Sequence, residues 1–132
     1  MIAVGQKYTR EYRVTPKVYQ GFLDVFEDHN PMHVDSEFAA AHGFKERIMH
    51  GNILNGFLSH FVGECLPYKK VVIMSQTINF HRPFFEKDTL LLEVEVKGMF
   101  AEETVAEFKF KFRSKANNDL ISKGSIQVNL LA

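Results

Sequence analysis

Apolar and polar residues repeat with two different periods along this chain, and the change between them falls near Lys70. Before that point, apolar residues recur every three or four positions, which is the spacing of one face of an α-helix. After it, they alternate with polar residues, as in strands that bury one face and expose the other. Apart from a weak first strand over residues 6–14, the pattern predicts helices followed by a run of strands.

The first predicted helix has a clear start. Thr15 followed by Pro16 is typical of an N-cap with proline at the first helical position. An apolar face follows at helical spacing: Val18, Phe22, Val25 and Phe26. Further on, Pro31 lacks an N–H group and disfavours helical backbone at Asn30. We therefore predict a helix from Pro16 to residue 27 or 28, followed by a turn at Asn30.

A longer helix is predicted to start at His50 or Gly51 and to end before Pro67. Its apolar face is broad, as expected for a helix packed deeply in a core: Ile53, Leu54, Phe57, Leu58, Phe61, Val62 and Leu66. Cys65 lies near the end of this face without an activating motif beside it. We interpret it as a buried apolar residue rather than a nucleophile.

The second half of the chain predicts four strands, at residues 71–80, 90–97, 105–113 and 125–131. The loops between them, at residues 87–88, 101–103 and 117–119, are short enough for hairpins. One buried helix before a run of antiparallel strands indicates an α+β fold, with a curved antiparallel sheet wrapped around a long central helix. The length of 132 residues is typical of one domain, here residues 1–132.

Composition narrows the classes of function. Sixteen Lys and Arg residues balance sixteen Asp and Glu residues, and no basic tract is present. Neither nucleic acid nor an anionic membrane surface is therefore an expected partner. No run approaches the roughly 20 apolar residues of a transmembrane helix, and the first residues do not resemble a signal peptide. The single cysteine cannot form an internal disulfide, so we expect a cytoplasmic protein.

Candidate chemistry centres on Asp28 and His33, which flank the turn at Pro31. An imidazole titrates near neutral pH, so beside a carboxylate it is suited to proton transfer. His50 and Gly51 lie at the predicted start of the long helix, where free N–H groups stabilise developing negative charge. Taken alone, Asp28 and His33 are also typical of turn and cap residues. The second motif favours an active site.

A functional metal is not expected. His29 and His33 have the spacing of two ligands on one helix face, but Pro31 breaks the helix that this spacing requires. Asp28 also begins a stretch like a calcium loop. The positions that require glycine and glutamate there hold His33 and Ala39 instead.

The residues from Asp28 to Gly51 resemble the signature of a known family. The motifs are Asp28-x-Asn30-Pro31-x-His33-x-Asp35, Phe38-Ala39, Phe44 and Arg47-Ile48-x-His50-Gly51, followed by Phe80-x-x-Pro83 and Asp88-Thr89. In this order they are similar to the MaoC-like dehydratases, the (R)-specific enoyl-CoA hydratases of the hot-dog fold. The resemblance spans most of the chain. It implies a hydro-lyase that reversibly hydrates trans-2-enoyl thioesters to (R)-3-hydroxyacyl thioesters.

The resemblance also implies roles for single residues. Asp28 and His33 would form the catalytic pair, and the backbone N–H of Gly51 would polarise the thioester carbonyl. Ser59 matches a serine near the reacting centre in some members. The substrate would be carried as a thioester of coenzyme A or of an acyl-carrier protein, with no other cofactor. The expected assembly is a homodimer or higher homo-oligomer with the pocket near the subunit boundary.

Other residues near these motifs either support the turn or depart from the family pattern. Asn30 and Pro31 are expected to hold the turn, and His50 is expected to act as a cap or structural hydrogen-bond partner. Phe26-Glu27 stands where the family most often has a small residue followed by glycine, and Lys87 replaces the usual glycine before the next Asp. Phe26 can narrow the pocket or reorient the turn. It therefore bears on the identity of the substrate more than on the reaction.

Two other functions stay open at this point. A thioesterase of the same fold would act on similar substrates but would release a free thiol. A non-catalytic acyl-binding or assembly module would keep the pocket without turnover, and Phe26 makes that possible. The spacing from Asp28 to His33 favours hydration over both.

Overall fold

The computed structural model describes residues 1–132, which form five β-strands and four α-helices. In chain order the elements are β1 (Lys7–Arg13), α1 (Pro16–Phe26), α2 (Pro31–Val34), α3 (Ser36–Ala41), α4 (Ile53–His60), β2 (Val71–Phe80), β3 (Thr89–Phe100), β4 (Val105–Ser114) and β5 (Leu120–Leu130). A π-helical turn at Phe61–Cys65 extends α4. The predicted order, with one strand, then helices, then four strands, is confirmed.

All five strands form one antiparallel sheet in the order β1-β3-β4-β5-β2. The predicted hairpins between β3 and β4 and between β4 and β5 are confirmed. The predicted hairpin at residues 87–88 is wrong, because β4 and β5 lie between β3 and β2. The crossing segment is instead held by Val14, the residue after β1. Val14 N donates to Asp88 O at 2.8 Å, and Lys87 N donates to Val14 O at 2.6 Å. Alternation shows which face of a strand is buried, but it does not show which strands pair.

One face of the sheet packs against α4 and forms the core. Its alternating buried residues are Leu90, Leu92, Val94 and Val96 on β3 and Ala106, Phe108, Phe110 and Phe112 on β4. From the helix side, Phe57 stacks on Tyr12 of β1 with ring centroids 4.6 Å apart. Each fully buried Leu or Phe side chain contributes roughly 1.5–3 kcal/mol. The predicted α+β architecture, a sheet wrapped around a central helix, is confirmed.

The first helix packs Tyr19 into the core, with Val18 and Phe22 half-buried against it. Val25 and Phe26, at the end of the predicted apolar face, are 70% and 65% exposed. Helical spacing identifies an apolar stripe but does not fix which part of it the core covers. None of the helices in the structure combines the length and apolar character that crossing a bilayer requires.

Pro31 begins a helix as well as preventing the previous one from continuing. The short helix α2 was not predicted, although proline is favoured in the first turn, where its missing N–H group has no partner to lose. The side chain of Asn30 caps α2 by accepting a hydrogen bond from Met32 N at 3.0 Å. α4 starts slightly later than predicted, at Ile53, because residues 51–52 form a turn that leads into it.

Candidate active site

The turn after α1 places the carboxylate of Asp28. Glu27 ends the helix in the left-handed conformation, with φ +55°, and its N–H donates to Leu23 O. Asp28 Oδ1 then accepts a hydrogen bond from Asn30 N at 3.1 Å. This bond occupies one carboxylate oxygen and leaves the other free. The exposed position of Asp28 makes the free oxygen accessible to a ligand.

His33 lies on α2 and is held from two sides. Its Nδ1 is 2.9 Å from Ile48 O, and because a carbonyl oxygen only accepts, Nδ1 carries a proton. The hydroxyl of Tyr19 donates to the backbone carbonyl of His33 at 2.7 Å. The ring is therefore fixed in orientation, and Nε2 is the nitrogen left to exchange a proton with a ligand.

His50 is a third polar side chain at this place, and it is only 2% exposed. Its Nε2 donates to the backbone carbonyl of Asp28 at 2.9 Å, while Nδ1 has no hydrogen-bond partner. The ring packs against Phe22 and His33, with centroids 4.7 Å and 4.2 Å away. Burial lowers the pKa of His50, and nearby His33 acts in the same direction, whereas the bond to the Asp28 carbonyl opposes the shift. His50 is accordingly neutral at neutral pH.

Three separate segments thus bring one acid/base group each to a single point. Polar atoms of Asp28, His33 and His50 all lie within 4.8 Å of one another. These three residues are also the group in the structure that offers ligand atoms for a metal ion. The sequence identified Asp28 and His33 as the candidate pair and gave His50 a structural part. The bond from His50 to the Asp28 backbone fits that part.

Gly51 follows His50 in the turn before α4. Its N–H donates to no backbone carbonyl of the chain, so it is free to bind a ligand oxygen. The ring of Phe80 covers this glycine, and a Cβ added to it would lie 2.8 Å from Phe80 Cε1. Ser59 is exposed two turns further along the chain, on α4, and is not among the residues that line the groove between α1 and α4. Its predicted place near the reacting centre stays a prediction.

An open groove of about 1040 Å³ runs between α1 and α4 beside this group. Asp28 is among the residues that line it, and the apolar part of the lining comes from Val18, Phe22, Val25, Phe26, Ile53 and Phe57. The ring of Phe26 packs 4.7 Å from that of Phe22, between centroids. Phe26, predicted to border the substrate pocket, lies in the lining of this groove, and its effect on the substrate stays a prediction.

Two supporting residues were missed by sequence reasoning. Tyr19 and Ile48 fix the backbone and the ring of His33, the first through its hydroxyl and the second through its carbonyl oxygen. A main-chain carbonyl leaves no signal in a sequence. Tyr19 could have been found as the polar-tipped member of an apolar helix face, since a buried Tyr hydroxyl usually finds a partner.

Fold and site together define a class: a hot-dog domain with an acid/base pair beside a free backbone N–H. The sequence model of the MaoC like domain matches residues 2–116, and the chain belongs to this family. It is 33% identical over 105 residues to the (R)-specific enoyl-CoA hydratase of Aeromonas caviae, a match that covers 80% of this chain and 78% of that protein.

A second relative and two solved structures agree with this assignment. The 3-hydroxybutyryl-CoA dehydratase of Methylorubrum extorquens is 38% identical over 82 residues, which cover 62% of this chain and 52% of that protein. The structure of the (R)-hydratase from A. caviae superposes with a TM-score of 0.88 at 30% identity, over 98% of both chains. R-hydratase PhaJ1 from Pseudomonas aeruginosa gives 0.87 at 28% identity, over 98% of this chain and 82% of that one.

Proposed function

We propose that the chain catalyses the reversible hydration of trans-2-enoyl thioesters to (R)-3-hydroxyacyl thioesters. The main support for the proposal is that Asp28 and His33 converge on one point. His33 Nδ1 is bound to the Ile48 carbonyl, so Nε2 is the nitrogen available for proton transfer. The named activities of the A. caviae and M. extorquens relatives support it. The chain is thus a hydro-lyase.

Hydration needs three things: a group that activates water, a group that protonates the α-carbon, and stabilisation of the enolate that forms between them. Asp28 and His33 supply the two proton transfers, since both present a free polar atom to the same point. The N–H of Gly51 donates to the thioester oxygen as it becomes negative, and a donor of this kind lowers the barrier by about 3–4 kcal/mol. These groups complete the reaction, so the proposal includes no cofactor beyond the thioester carrier.

The groove between α1 and α4 supports a place for the acyl chain. It is lined by apolar side chains and includes Asp28, so an acyl group bound there would bring its reacting carbons to the acid/base pair. Phe26 stands at this groove where the family commonly has a small residue. We propose that it restricts the length or shape of the acyl group. Both a coenzyme A and a carrier-protein thioester are compatible with this arrangement.

We further propose that two copies pair through β2. This strand is at an edge of the sheet and exposes four large apolar side chains, Val72, Ile73, Met74 and Phe80. Exposed apolar edges of this kind are usually covered by another strand or subunit. Because Phe80 also covers Gly51, such a homodimer would place the pocket near the subunit boundary. Sedimentation analysis tests this, with Met74→Lys expected to shift the protein towards the monomer.

An absorbance assay of the conjugated enoyl thioester, with crotonyl-CoA as the substrate, tests the reaction. Loss of the enoyl absorbance without release of free thiol is the expected result. Release of free thiol would instead identify a thioesterase. Binding of acyl-CoA with no turnover would identify a non-catalytic module.

A further inference from the structure

His50 carries a polar atom that neither the fold nor the mechanism above uses. Of all buried side-chain nitrogen and oxygen atoms in the structure, His50 Nδ1 alone has no hydrogen-bond partner. A buried acceptor without a partner is unfavourable, and such atoms in folded proteins usually bind water or a ligand. The ring lies against His33 with centroids 4.2 Å apart, which places this acceptor next to the candidate acid/base pair.

The tautomer of His50 follows from its one hydrogen bond. Nε2 donates to the Asp28 carbonyl, and burial lowers the pKa of the ring, so the neutral form has its lone pair on Nδ1. Nδ1 is therefore an acceptor, and only a donor can satisfy it. In the proposed reaction, two groups can donate this hydrogen bond: the O–H group of water and the O–H group of a 3-hydroxyacyl thioester.

The spacing of the three polar groups decides what fits between them. An oxygen that makes hydrogen bonds of about 2.8 Å to three tetrahedrally arranged atoms holds them roughly 4.6 Å apart. A zinc ion with bonds of about 2.0–2.1 Å would require roughly 3.4 Å. One ligand atom from each of Asp28, His33 and His50 lies within 4.8 Å of the others, a limit that is compatible with a shared oxygen. His50 Nδ1 is covered in this structure, so the ring shifts slightly when that oxygen binds.

We propose that His50 Nδ1 accepts a hydrogen bond from the water that adds to the enoyl thioester and, in the reverse direction, from the 3-hydroxyl group of the substrate. The inference rests on the proposed hydratase function. It makes His50 a third residue that touches the reacting oxygen, in addition to its bond to the Asp28 backbone.

The two hydrogens of the water molecule then decide which of Asp28 and His33 accepts a proton and which donates one. Water has two, and if one is shared with His50 and the other with Asp28, His33 must be the donor, through a protonated Nε2. Asp28 takes one proton as the water oxygen bonds to C3, and the electrons of the double bond move towards the thioester. C2 then takes the proton from His33, and solvent returns the proton on Asp28 to His33. The second water hydrogen stays on oxygen, directed at His50.

Two substitutions separate this role from the structural one. His50→Gln places an amide N–H close to the position of Nε2, so the bond to the Asp28 carbonyl is kept while the Nδ1 acceptor is lost. His50→Asn keeps a polar atom near Nδ1 but cannot reach that carbonyl. We expect His50→Gln to melt near the wild-type temperature and to lose roughly ten- to a hundredfold in kcat in both directions. Wild-type kcat in His50→Gln with reduced kcat only in His50→Asn would overturn the proposal.

Ligand affinity gives a readout that a purely structural residue would not change. In His50→Gln, (R)-3-hydroxybutyryl-CoA should bind roughly fivefold or more weakly, whereas butyryl-CoA, which lacks the hydroxyl, should bind as it does to the wild type. Equal loss for both ligands, or for neither, would contradict the proposal.

A measurement on the unaltered protein covers the case in which the variants fail to fold. In ¹⁵N spectra of the histidine rings, the Nδ1 resonance of His50 should move when (R)-3-hydroxybutyryl-CoA is added and stay in place with butyryl-CoA. The same movement with both ligands would overturn the inference. Hydration of crotonyl-CoA by the wild type is measured in parallel. Its absence would remove the proposed function, whereas its presence with an unaffected His50→Gln would remove only the role of His50.

Discussion

The ring of His33 donates a hydrogen bond from Nδ1 to the backbone carbonyl of Ile48, 2.9 Å away. This single contact decides which nitrogen of the ring can take part in proton transfer. His33→Asn keeps a donor near the position of Nδ1 and removes Nε2. We expect kcat to fall by about 10²–10⁴ with little change in melting temperature.

A matched control for this substitution exists in the same chain. His42 also directs Nδ1 at a backbone carbonyl, that of Phe38 at 2.8 Å, but it is exposed at the end of α3. His42→Asn should therefore leave kcat unchanged. An equal loss of kcat in both variants would mean that the ring of His33 acts only through the fold.

Glu27 and Lys87 hold their backbone in the left-handed region, with φ of +55° and +78°. The sequence resemblance places both where the family usually has glycine. A side chain disfavours this conformation, whereas glycine adopts it freely. Glu27→Gly and Lys87→Gly should each raise the free energy of unfolding by about 0.5–1 kcal/mol, as measured by urea denaturation.

Glu37→Gly serves as the contrasting substitution. Glu37 lies in the helical backbone of α3, where glycine is unfavourable, so the free energy of unfolding should fall by up to about 1 kcal/mol. A loss of stability in all three variants would show that the positive φ angles carry no cost here.

The stability of the protein should depend on pH through His50. Its pKa is lowered by burial, so in the unfolded chain it binds a proton at a higher pH, near the ordinary value of about 6.5. As the pH falls below that value, protonation of the unfolded state lowers the free energy of unfolding, until the folded pKa is reached. His50→Gln removes this contribution. Urea denaturation of both proteins between about pH 5 and 7 checks this, and parallel curves would contradict it.

Phe26 should control which acyl groups the groove accepts. Its ring is 65% exposed and lies in the groove lining, so Phe26→Ala should cost little stability while opening space along the acyl chain. We expect kcat/KM for a longer enoyl-CoA to rise several-fold relative to that for crotonyl-CoA. This is the size of change that one or two additional methylene contacts in an apolar pocket produce. Phe100→Ala, at a comparably exposed ring outside the groove, is the control. If the ratio of kcat/KM for the longer enoyl-CoA to that for crotonyl-CoA is the same in both variants, Phe26 does not contribute to substrate selection.

Gly51→Ala tests why a glycine stands in the turn before α4. The new Cβ would lie 2.8 Å from the ring of Phe80, which is half-exposed and can turn away. The double variant Gly51→Ala/Phe80→Ala relieves this clash. If the glycine also leaves room for the thioester, the double variant regains stability but not kcat. Recovery of both would limit the role of Gly51 to packing against Phe80.

Local patterns predicted much of the fold, and what they missed depends on tertiary contacts. Thr15 and Pro16 defined the start of α1, and alternation defined the buried faces of β3 and β4. Strand partners were not predictable in the same way, since the segment after β2 crosses two strands instead of forming a hairpin. The capped helix at Pro31 was missed because a proline that prevents one helix from continuing can also begin the next.

The sequence nominated residues for the site but could not give their geometry. Asp28, His33, His50 and Gly51 were all identified from the sequence, because their residue types and motif spacing are informative. The unpaired Nδ1 of His50 and its distance from the other two acid/base groups appear only when three separate segments are folded together.

Asp28→Asn removes the carboxylate that the proposed mechanism uses to activate water. The amide oxygen can still accept the hydrogen bond from Asn30 N, so the turn should persist while the carboxylate charge is lost. Asp24→Asn, an exposed substitution on α1, is the control. With crotonyl-CoA in one direction and (R)-3-hydroxybutyryl-CoA in the other, we predict that Asp28→Asn loses about 10²–10⁴ in kcat both ways and that Asp24→Asn is unaffected. Wild-type rates in a folded Asp28→Asn protein would contradict the account.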